Sequence, residues 1–163
     1  MPEFIQFTSP IGTITACSAD SGISRIDIGN EEPADALVSP NELLQRCKQE
    51  FEEYFSGQRK SFDLPIDWLV MPRFQVDVLR VTLTIPFGSV RTYSEIAQEL
   101  GKPGASRAVG KALAQNPLPI LIPCHRVVAA SGHLTGFSAA DGIVSKAWLL
   151  QLEGHHVVAE KLA

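Results

Sequence analysis

The cysteine in the run Pro123-Cys124-His125-Arg126 is the residue of this 163-residue chain best suited to chemistry. A thiolate is the strongest nucleophile that a side chain offers near neutral pH. His125 and Arg126 are potential cations next to the sulfur, so we expect them to favour the thiolate over the thiol. Adjacent residues project in different directions, so we expect His125 to act on the sulfur through a bridging water.

A carboxylate farther along the chain could complete this arrangement. Glu153 falls in the last turn of a predicted helix, where the helix dipole disfavours an anion by a few tenths to about 1 kcal/mol. We interpret it as the partner of a cation or a histidine. Nucleophile, base and orienting acid would then be joined by a water. The residues alone leave a second reading open, in which Cys124 is a buried structural cysteine.

Two predicted helices precede the cysteine and would position it. The run Thr92–Glu95 is a capping box that opens a helix continuing through Leu100. After a break at residues 101–104, a second helix has the apolar positions Ala105, Ala108, Val109, Ala112 and Leu113. Its other face carries Ser106, Arg107, Gly110 and Lys111. This is the helix-turn-helix pattern, in which the basic side chains either contact DNA or form a solvated face.

The distribution of charge supports DNA contact, although the net charge of −4 does not. Residues 1–69 carry five basic and 12 acidic side chains, whereas residues 70–126 carry seven basic and three acidic ones. The positive charge is therefore confined to the segment that holds the predicted helices and the cysteine. A solvated basic surface is the alternative.

The rest of the chain predicts a small meander, two more helices and a loop. Strands are predicted at residues 4–7, 13–17 and 22–28, followed by a loop at 30–40 and a helix over 41–57. Cys47 lies on the apolar stripe of that helix, and we expect both Cys47 and Cys17 to be core residues. Residues 74–85 fit a strand or a helix equally well. A loop over 131–141 precedes a final helix over 143–153.

Composition excludes several classes of protein. With 45% hydrophobic and 20% charged residues, the chain has the composition of an ordinary soluble globular protein. It lacks the run of about 20 apolar residues that a membrane helix needs. The acidic N-terminus does not have the features of a signal peptide, so we expect a cytoplasmic protein. Three widely spaced cysteines argue against a disulfide framework, and the distribution of histidines argues against a bound metal.

Several runs together resemble the O6-alkylguanine-DNA alkyltransferases. They are Ile122–Val128, Ile85–Gly88, Thr92–Ala97, Arg107–Gly110, Asn116-Pro117, and Trp148–Leu150 with Glu153-Gly154. The resemblance is strong over residues 70–156 and extends to the N-terminal part only in general layout. It implies an α+β fold, with an RNase H-like antiparallel sheet and helix in residues 1–68. A helical winged helix-turn-helix domain that carries the active-site cysteine would follow in residues 69–163. It also implies a helix over residues 74–85.

The resemblance assigns a role to each matching position. It makes Cys124 the alkyl acceptor, His125 its base through water, and Glu153 the residue that orients the histidine. The remaining residues contact the flipped base or the DNA, or line the substrate pocket. Tyr93 would contact the guanine and stabilise it as it leaves, and Asn116 would link the recognition helix to the cysteine. The implied DNA-binding residues are Tyr93, Ser94, Lys102 and the arginine finger Arg107, and the implied pocket residues are Pro119, Val127, Phe137 and Ser138.

The implied activity is DNA repair by direct reversal. O6-alkylguanine, and O4-alkylthymine as a second substrate, would be flipped out of duplex DNA and would lose the alkyl group irreversibly to Cys124. Each molecule, acting as a monomer without cofactor, metal or membrane, would react once. The chain departs from the family at Phe137–Gly142, where a tyrosine, a serine and paired glycines are common.

Three other functions remain as alternatives. A non-catalytic lesion-binding relative would carry tryptophan in place of Cys124. A transcription regulator would need a dimer interface or an effector domain, and the sequence indicates neither. A cysteine hydrolase would turn over, whereas an alkyl acceptor stops after one reaction.

Overall fold

The computed structural model describes residues 3–29, 41–69, 71–137 and 139–163. It divides into two compact units, Met1–Val70 and Met71–Ala163. Two features of the sequence, the loop predicted at 30–40 and the predicted pocket residue Ser138, lie outside the described residues. In the described part of the chain, no helix is both long enough and apolar enough to cross a bilayer.

The first unit contains an antiparallel meander of β1 (Glu3–Ser9), β2 (Gly12–Ala19) and β3 (Gly22–Gly29), in that order. The turn at Gly22 requires glycine, because φ is +144° and a Cβ there would lie 2.5 Å from the Pro65 carbonyl oxygen. The predicted meander is confirmed. The prediction that Cys17 is a core residue is wrong, because Cys17 lies on the half-buried face of β2 while Ala16 points inward.

A helix covers the inner face of this sheet. It is α1 (Glu42–Phe55), and its N-terminus is capped by Asn41, whose side-chain oxygen accepts from the Leu44 backbone N–H at 2.8 Å. Cys47 is fully buried on its apolar face, as predicted. The ring of Phe51 on that face meets Phe7 of β1 edge to face, with centroids 6.1 Å apart.

The second unit is mainly helical. It contains α2 (Arg73–Leu83), α3 (Tyr93–Glu99), α4 (Ser106–Ala114) and α5 (Ile143–Leu152). Two-residue strands complete it, with β4 (Arg91–Thr92) parallel to β5 (Val127–Val128), and β6 (Val157–Val158) antiparallel to β7 (Lys161–Leu162). The helix implied over residues 74–85 is confirmed as α2. Its periodicity was ambiguous because apolar residues occur at both strand and helix spacing.

The two helices α3 and α4 follow the predicted pattern closely. Thr92 and Glu95 form the capping box, with both hydrogen bonds at 3.1 Å. One expectation is wrong: Ala108 is exposed, whereas Val109, Ala112 and Leu113 are buried. Ala108 lies about 100° around the helix from Val109, outside the narrow buried stripe of this nine-residue helix.

Candidate active site

Cys124 opens a short 3₁₀ turn, Cys124–Arg126, at the end of a buried loop. Asn116, just after α4, fixes that loop with both ends of its amide. Its Nδ2 donates to the Ile122 carbonyl at 3.0 Å, and its Oδ1 accepts from the Leu118 N–H at 2.9 Å. Cys124 itself is only 8% exposed. The amide therefore connects the end of α4 to the segment that presents the sulfur.

The electrostatics at the sulfur differ from the sequence prediction. Burial raises the pKa of Cys124, opposed by a hydrogen bond from the Asn116 side chain and by the charge of Lys146. The expectation that His125 and Arg126 supply cations to the thiolate is wrong. Burial lowers the pKa of His125 below its usual range, which favours the neutral imidazole. The guanidinium of Arg126 binds Glu153 instead.

His125 and Glu153 meet as the sequence predicts. The His125 Nε2 lies 2.8 Å from the Glu153 Oε2, and both side chains are fully buried. The backbone N–H groups of Gly154 and His155 bond to the carbonyls of Gln151 and Leu150, which makes a Schellman motif at the end of α5. Gly154 has a φ of +96°, a conformation that glycine adopts readily. Glu153 is the C-cap residue of α5, so this motif sets its position.

Arg126 holds the same carboxylate from its other side. Its Nε donates to the Glu153 Oε1 at 2.8 Å and its Nη2 to Oε2 at 2.9 Å. Its Nη1 donates to the Ile85 carbonyl at 2.7 Å. Burial raises the pKa of Glu153, but the hydrogen bonds from His125 and Arg126 outweigh it and lower this pKa to about 2. Glu153 is therefore a carboxylate at neutral pH.

Lys146 is a site residue that the sequence analysis missed. Its side chain is fully buried in α5, and its Nζ donates to the carbonyls of Val127 at 2.6 Å and Thr135 at 2.7 Å. Burial lowers its pKa to about 8. A signal was present, because Lys146 stands three and four residues before the buried Leu149 and Leu150, on the apolar face of the helix.

Tyr93, the first residue of α3, lines an open cleft. Its hydroxyl is 3.1 Å from both the carbonyl and the Oγ1 of Thr135. Burial raises the pKa of the phenol, so the hydroxyl keeps its proton and can donate. The cleft has a volume of about 320 Å³ and is lined by Tyr93, Ser106, Arg107, Gly110, Thr135 and Gly136. The structure thus brings Tyr93 and Arg107 together.

The other predicted DNA-binding residues are exposed, with Ser94 on α3, Arg107 on α4 and Lys102 in the turn between these helices. The Ser94 Oγ is 3.3 Å from the Ser106 Oγ, which joins the start of α3 to the start of α4. The exposed Lys102 places its Nζ 5.2 Å from the ring centroid of Phe74. Arg107 is also exposed. Their contact with DNA stays a prediction.

Three of the predicted pocket residues lie within the described ranges, and they do not line that cleft. Pro119, Val127 and Phe137 are all buried, and the described residues that line the cleft do not include them. The carbonyl of Val127 instead accepts from Lys146. Within the described ranges, no group of three or more His, Cys, Asp or Glu side chains is placed to hold a metal ion.

Comparisons with known proteins cover both units. The family profile of the 6-O-methylguanine DNA methyltransferase DNA-binding domain matches residues 73–155, and that of its ribonuclease-like domain matches residues 5–68. A methylated-DNA–protein-cysteine methyltransferase of Methanosarcina acetivorans is 41% identical over 155 residues, covering 91% of this chain and 96% of that protein. A constitutive enzyme of that name from Bacillus subtilis is 36% identical, covering 94% and 96%.

Solved structures agree with these matches. The O6-methylguanine methyltransferase of Mycobacterium tuberculosis superposes with a TM-score of 0.81 at 38% identity, covering 98% of this chain and 96% of that one. A structure of the Mycobacterium tuberculosis OGT in complex with DNA superposes with a TM-score of 0.80 at 38% identity, covering 93% and 92%. The predicted α+β class, with a ribonuclease-like sheet first and a helical DNA-binding unit second, is confirmed.

Proposed function

The chain belongs to the 6-O-methylguanine DNA methyltransferase family, and from this premise we propose that it repairs duplex DNA by moving the alkyl group of O6-alkylguanine onto Cys124. The names of its relatives specify transfer from methylated DNA to a protein cysteine. One observation carries the assignment of the acceptor. Cys124 lies in a turn where the next residue, His125, bonds Glu153, and where the charge of Lys146 opposes the effect of burial on the thiol.

The proposed reaction begins with the loss of the thiol proton. Neutral His125 accepts it through a water molecule, while Glu153 stabilises the imidazolium that forms. The charge of Lys146 stabilises the thiolate. The sulfur then attacks the alkyl carbon in line, so that the S–C bond forms as the C–O6 bond breaks. The bonding electron pair stays with the guanine, which takes up a proton from water, while the imidazolium of His125 returns the thiol proton to the solvent. Tyr93 stabilises the leaving base by donating a hydrogen bond.

Access to the lesion requires base flipping. The O6 atom lies on the pairing edge of guanine, where a protein sulfur cannot reach it inside the stack. Extruding a base costs a few kcal/mol, and less for a weakly paired damaged base. Arg107 lies on α4 at the edge of the cleft beside Tyr93, and this position supports its role as the residue that fills the vacated space. Ser94 and Lys102 would contact the DNA on the same side.

The thioether formed on Cys124 limits each protein molecule to a single turnover. A thioether is not hydrolysed in neutral aqueous solution, so Cys124 is consumed and each molecule reacts once. O4-alkylthymine as a second substrate and action as a monomer stay predictions. The three free cysteines, Cys17, Cys47 and Cys124, support a reducing compartment and hence the predicted cytoplasmic location.

The test combines intact mass with a cysteine substitution. After the protein is mixed with a duplex that contains one O6-methylguanine, we expect the mass to rise by one methyl group that maps to Cys124. Cys124→Ser should abolish the transfer because a hydroxyl is a far weaker nucleophile at neutral pH. Its affinity for the same duplex should stay within about twofold of the wild type, since the binding face is intact.

Cys17→Ser is the matched control, because it removes a half-buried thiol from the other unit and should react like the wild type. Loss of the lesion without a change in protein mass would indicate a hydrolase and contradict the proposal. Transfer by Cys124→Ser would place the acceptor elsewhere.

A further inference from the structure

Arg126 uses all three of its guanidinium nitrogens inside the protein. Nε and Nη2 bind the two oxygens of Glu153 at 2.8 and 2.9 Å, and Nη1 binds the Ile85 carbonyl at 2.7 Å. The planar fork of arginine matches a carboxylate in this two-point geometry. The residue is only 7% exposed, and its guanidinium carbon lies 5.9 Å from the ring centroid of Phe87. This cation is therefore held in one orientation toward one carboxylate.

The same carboxylate oxygen serves two donors. Glu153 Oε2 lies 2.9 Å from Arg126 Nη2 and 2.8 Å from His125 Nε2. Arginine does not lose its proton in proteins, so its partner stays ionised. A carboxylate has no hydrogen to donate. Nε2 of His125 must therefore carry the hydrogen of this bond, and Nδ1 must be the nitrogen with the free lone pair.

The other face of the imidazole agrees with this tautomer. Nδ1 of His125 is buried and finds no hydrogen-bond partner among the described residues. A buried acceptor without a partner costs about 1–3 kcal/mol, so such an atom calls for a functional explanation. Nδ1 is the atom that a proton acceptor for the neighbouring thiol must offer.

We propose that Arg126 is a positioning residue of the transfer reaction, which holds Glu153 as a carboxylate and thereby fixes His125 in the tautomer whose Nδ1 accepts the proton of Cys124. This inference rests on the proposed transfer to Cys124. Arg126 does not touch the reacting atoms and acts through two other side chains. A role in stability alone would lower activity by the same factor at every pH, whereas this role changes the shape of the pH profile.

The direction of that change follows from the charges around the imidazole. Burial lowers the pKa of His125, Glu153 raises it, and Arg126 and Lys146 lower it. The Cys124 thiol adjoins it on its own turn. Removing Arg126 leaves Glu153 as an unbalanced anion beside the imidazole, so the histidine holds a proton up to a higher pH. An imidazolium cannot accept the thiol proton, so the acid side of the activity profile moves upward.

The test is the single-turnover rate of methyl transfer from saturating duplex that contains O6-methylguanine, measured between about pH 5.5 and 9. We expect the acid-side midpoint of Arg126→Met to rise by about one pH unit, so that the ratio of rates at high and low pH increases about tenfold over the wild type. The acid-side midpoint of Arg126→Lys should fall between those of the wild type and Arg126→Met, because lysine restores the charge without the two-point geometry. Arg25→Met removes an exposed arginine paired with Asp27 in the other unit, and its profile should match the wild type.

A second measurement reads the tautomer directly. In ¹⁵N NMR spectra, His125 of the wild type should show a protonated Nε2 and a bare Nδ1 near neutral pH. Arg126→Met should show imidazolium or a mixture of tautomers under the same conditions. If Arg126→Met does not fold, the same two measurements are made on Arg126→Lys. A variant whose pH profile of activity is not shifted and whose His125 tautomer is unchanged would overturn the inference.

The outcomes separate this inference from the proposed function. A wild-type protein that gains no mass on Cys124 refutes the transfer reaction itself. A wild type that reacts, with Arg126 variants slowed by one constant factor at every pH, refutes only the role of Arg126 in the relay.

Discussion

The proposed acceptor, Cys124, is a buried thiol that would have to ionise in order to react. Burial alone would keep it protonated, since the charged form loses its hydration. The cation that opposes this effect is Lys146, which two backbone carbonyls hold in place. An ammonium group without such partners would be costly at this depth. The hydrogen bonds to Val127 and Thr135 therefore keep a positive charge near the sulfur.

We predict that Lys146→Met slows methyl transfer at least about tenfold at neutral pH, because loss of a nearby opposite charge raises a thiol pKa by one unit or more. The pKa of Lys146 is about 8, so its own charge is present below that pH and is lost as the pH rises through it. The difference between variant and wild type should therefore narrow above about pH 8. Single-turnover rates across this range test the prediction, with Lys161→Met as an exposed control. Equal rates at neutral pH would show that another group ionises the thiol.

Sequence reasoning selected the side chains that meet at the candidate site better than it predicted their electrostatic partners. Cys124, His125 and Glu153 could be selected because their types and order suit nucleophilic chemistry. The partner of Arg126 could not be predicted, because adjacency along the chain does not reveal where a side chain points in a 3₁₀ turn. The apolar face of α5 is a local signal that Lys146 is buried, but its contacts with Val127 and Thr135 depend on the docking of that helix, which no local pattern encodes.

The elements around the site explain how separate motifs meet. β4 pairs in parallel with β5, so that Thr92 lies opposite Val128. Thr92 is the N-cap of α3, and Val128 follows closely after the cysteine turn. This short ladder holds the start of the helix-turn-helix beside the segment that carries Cys124. Local periodicity and capping predicted α1, α3, α4 and α5, whereas a pairing between distant two-residue strands has no such signal.

At the level of α4, we predict that Arg107→Ala impairs base extrusion more than binding. Arg107 lines the cleft together with Tyr93. Its loss should therefore slow transfer at saturating DNA about tenfold, which corresponds to about 1.4 kcal/mol of the free energy needed to extrude the base. Its affinity for undamaged duplex should change much less. Lys111→Ala is the control, since Lys111 is exposed one turn later on the same helix. If both properties fell by the same factor in Arg107→Ala, the side chain would be only a phosphate contact.

For the molecule as a whole, the buried ionisable groups make stability depend on pH. The pKa of Glu153 is lowered from 4.5 to about 2, so its contribution is present above about pH 4.5 and is lost as the pH falls toward 2. His125, whose pKa is also lowered, adds to the loss once the pH drops below its usual value near 6.5. Both groups therefore destabilise the folded state in acid.

We predict that the second unit loses about 2–3 kcal/mol of unfolding free energy through Glu153 between pH 5 and pH 2. Urea unfolding at a series of pH values, followed by circular dichroism, measures it. Glu153→Gln should have a flatter pH dependence in that range, because the amide does not titrate there. An equally steep decline in the variant would assign the acid sensitivity to other groups.

Arg126 joins parts of the chain that are far apart in sequence, since its hydrogen bonds reach Ile85, 41 residues earlier, and Glu153, 27 residues later. Closing a long loop costs more entropy than forming a local contact, so we expect these contacts to form after the helices. We therefore expect a folding chain to contain Cys124 before Glu153 meets His125 and Arg126. In that order of assembly, the proton acceptor for the Cys124 thiol is in place only once the whole second unit has closed, so the capacity for repair would appear with the complete unit and not with a fragment of it.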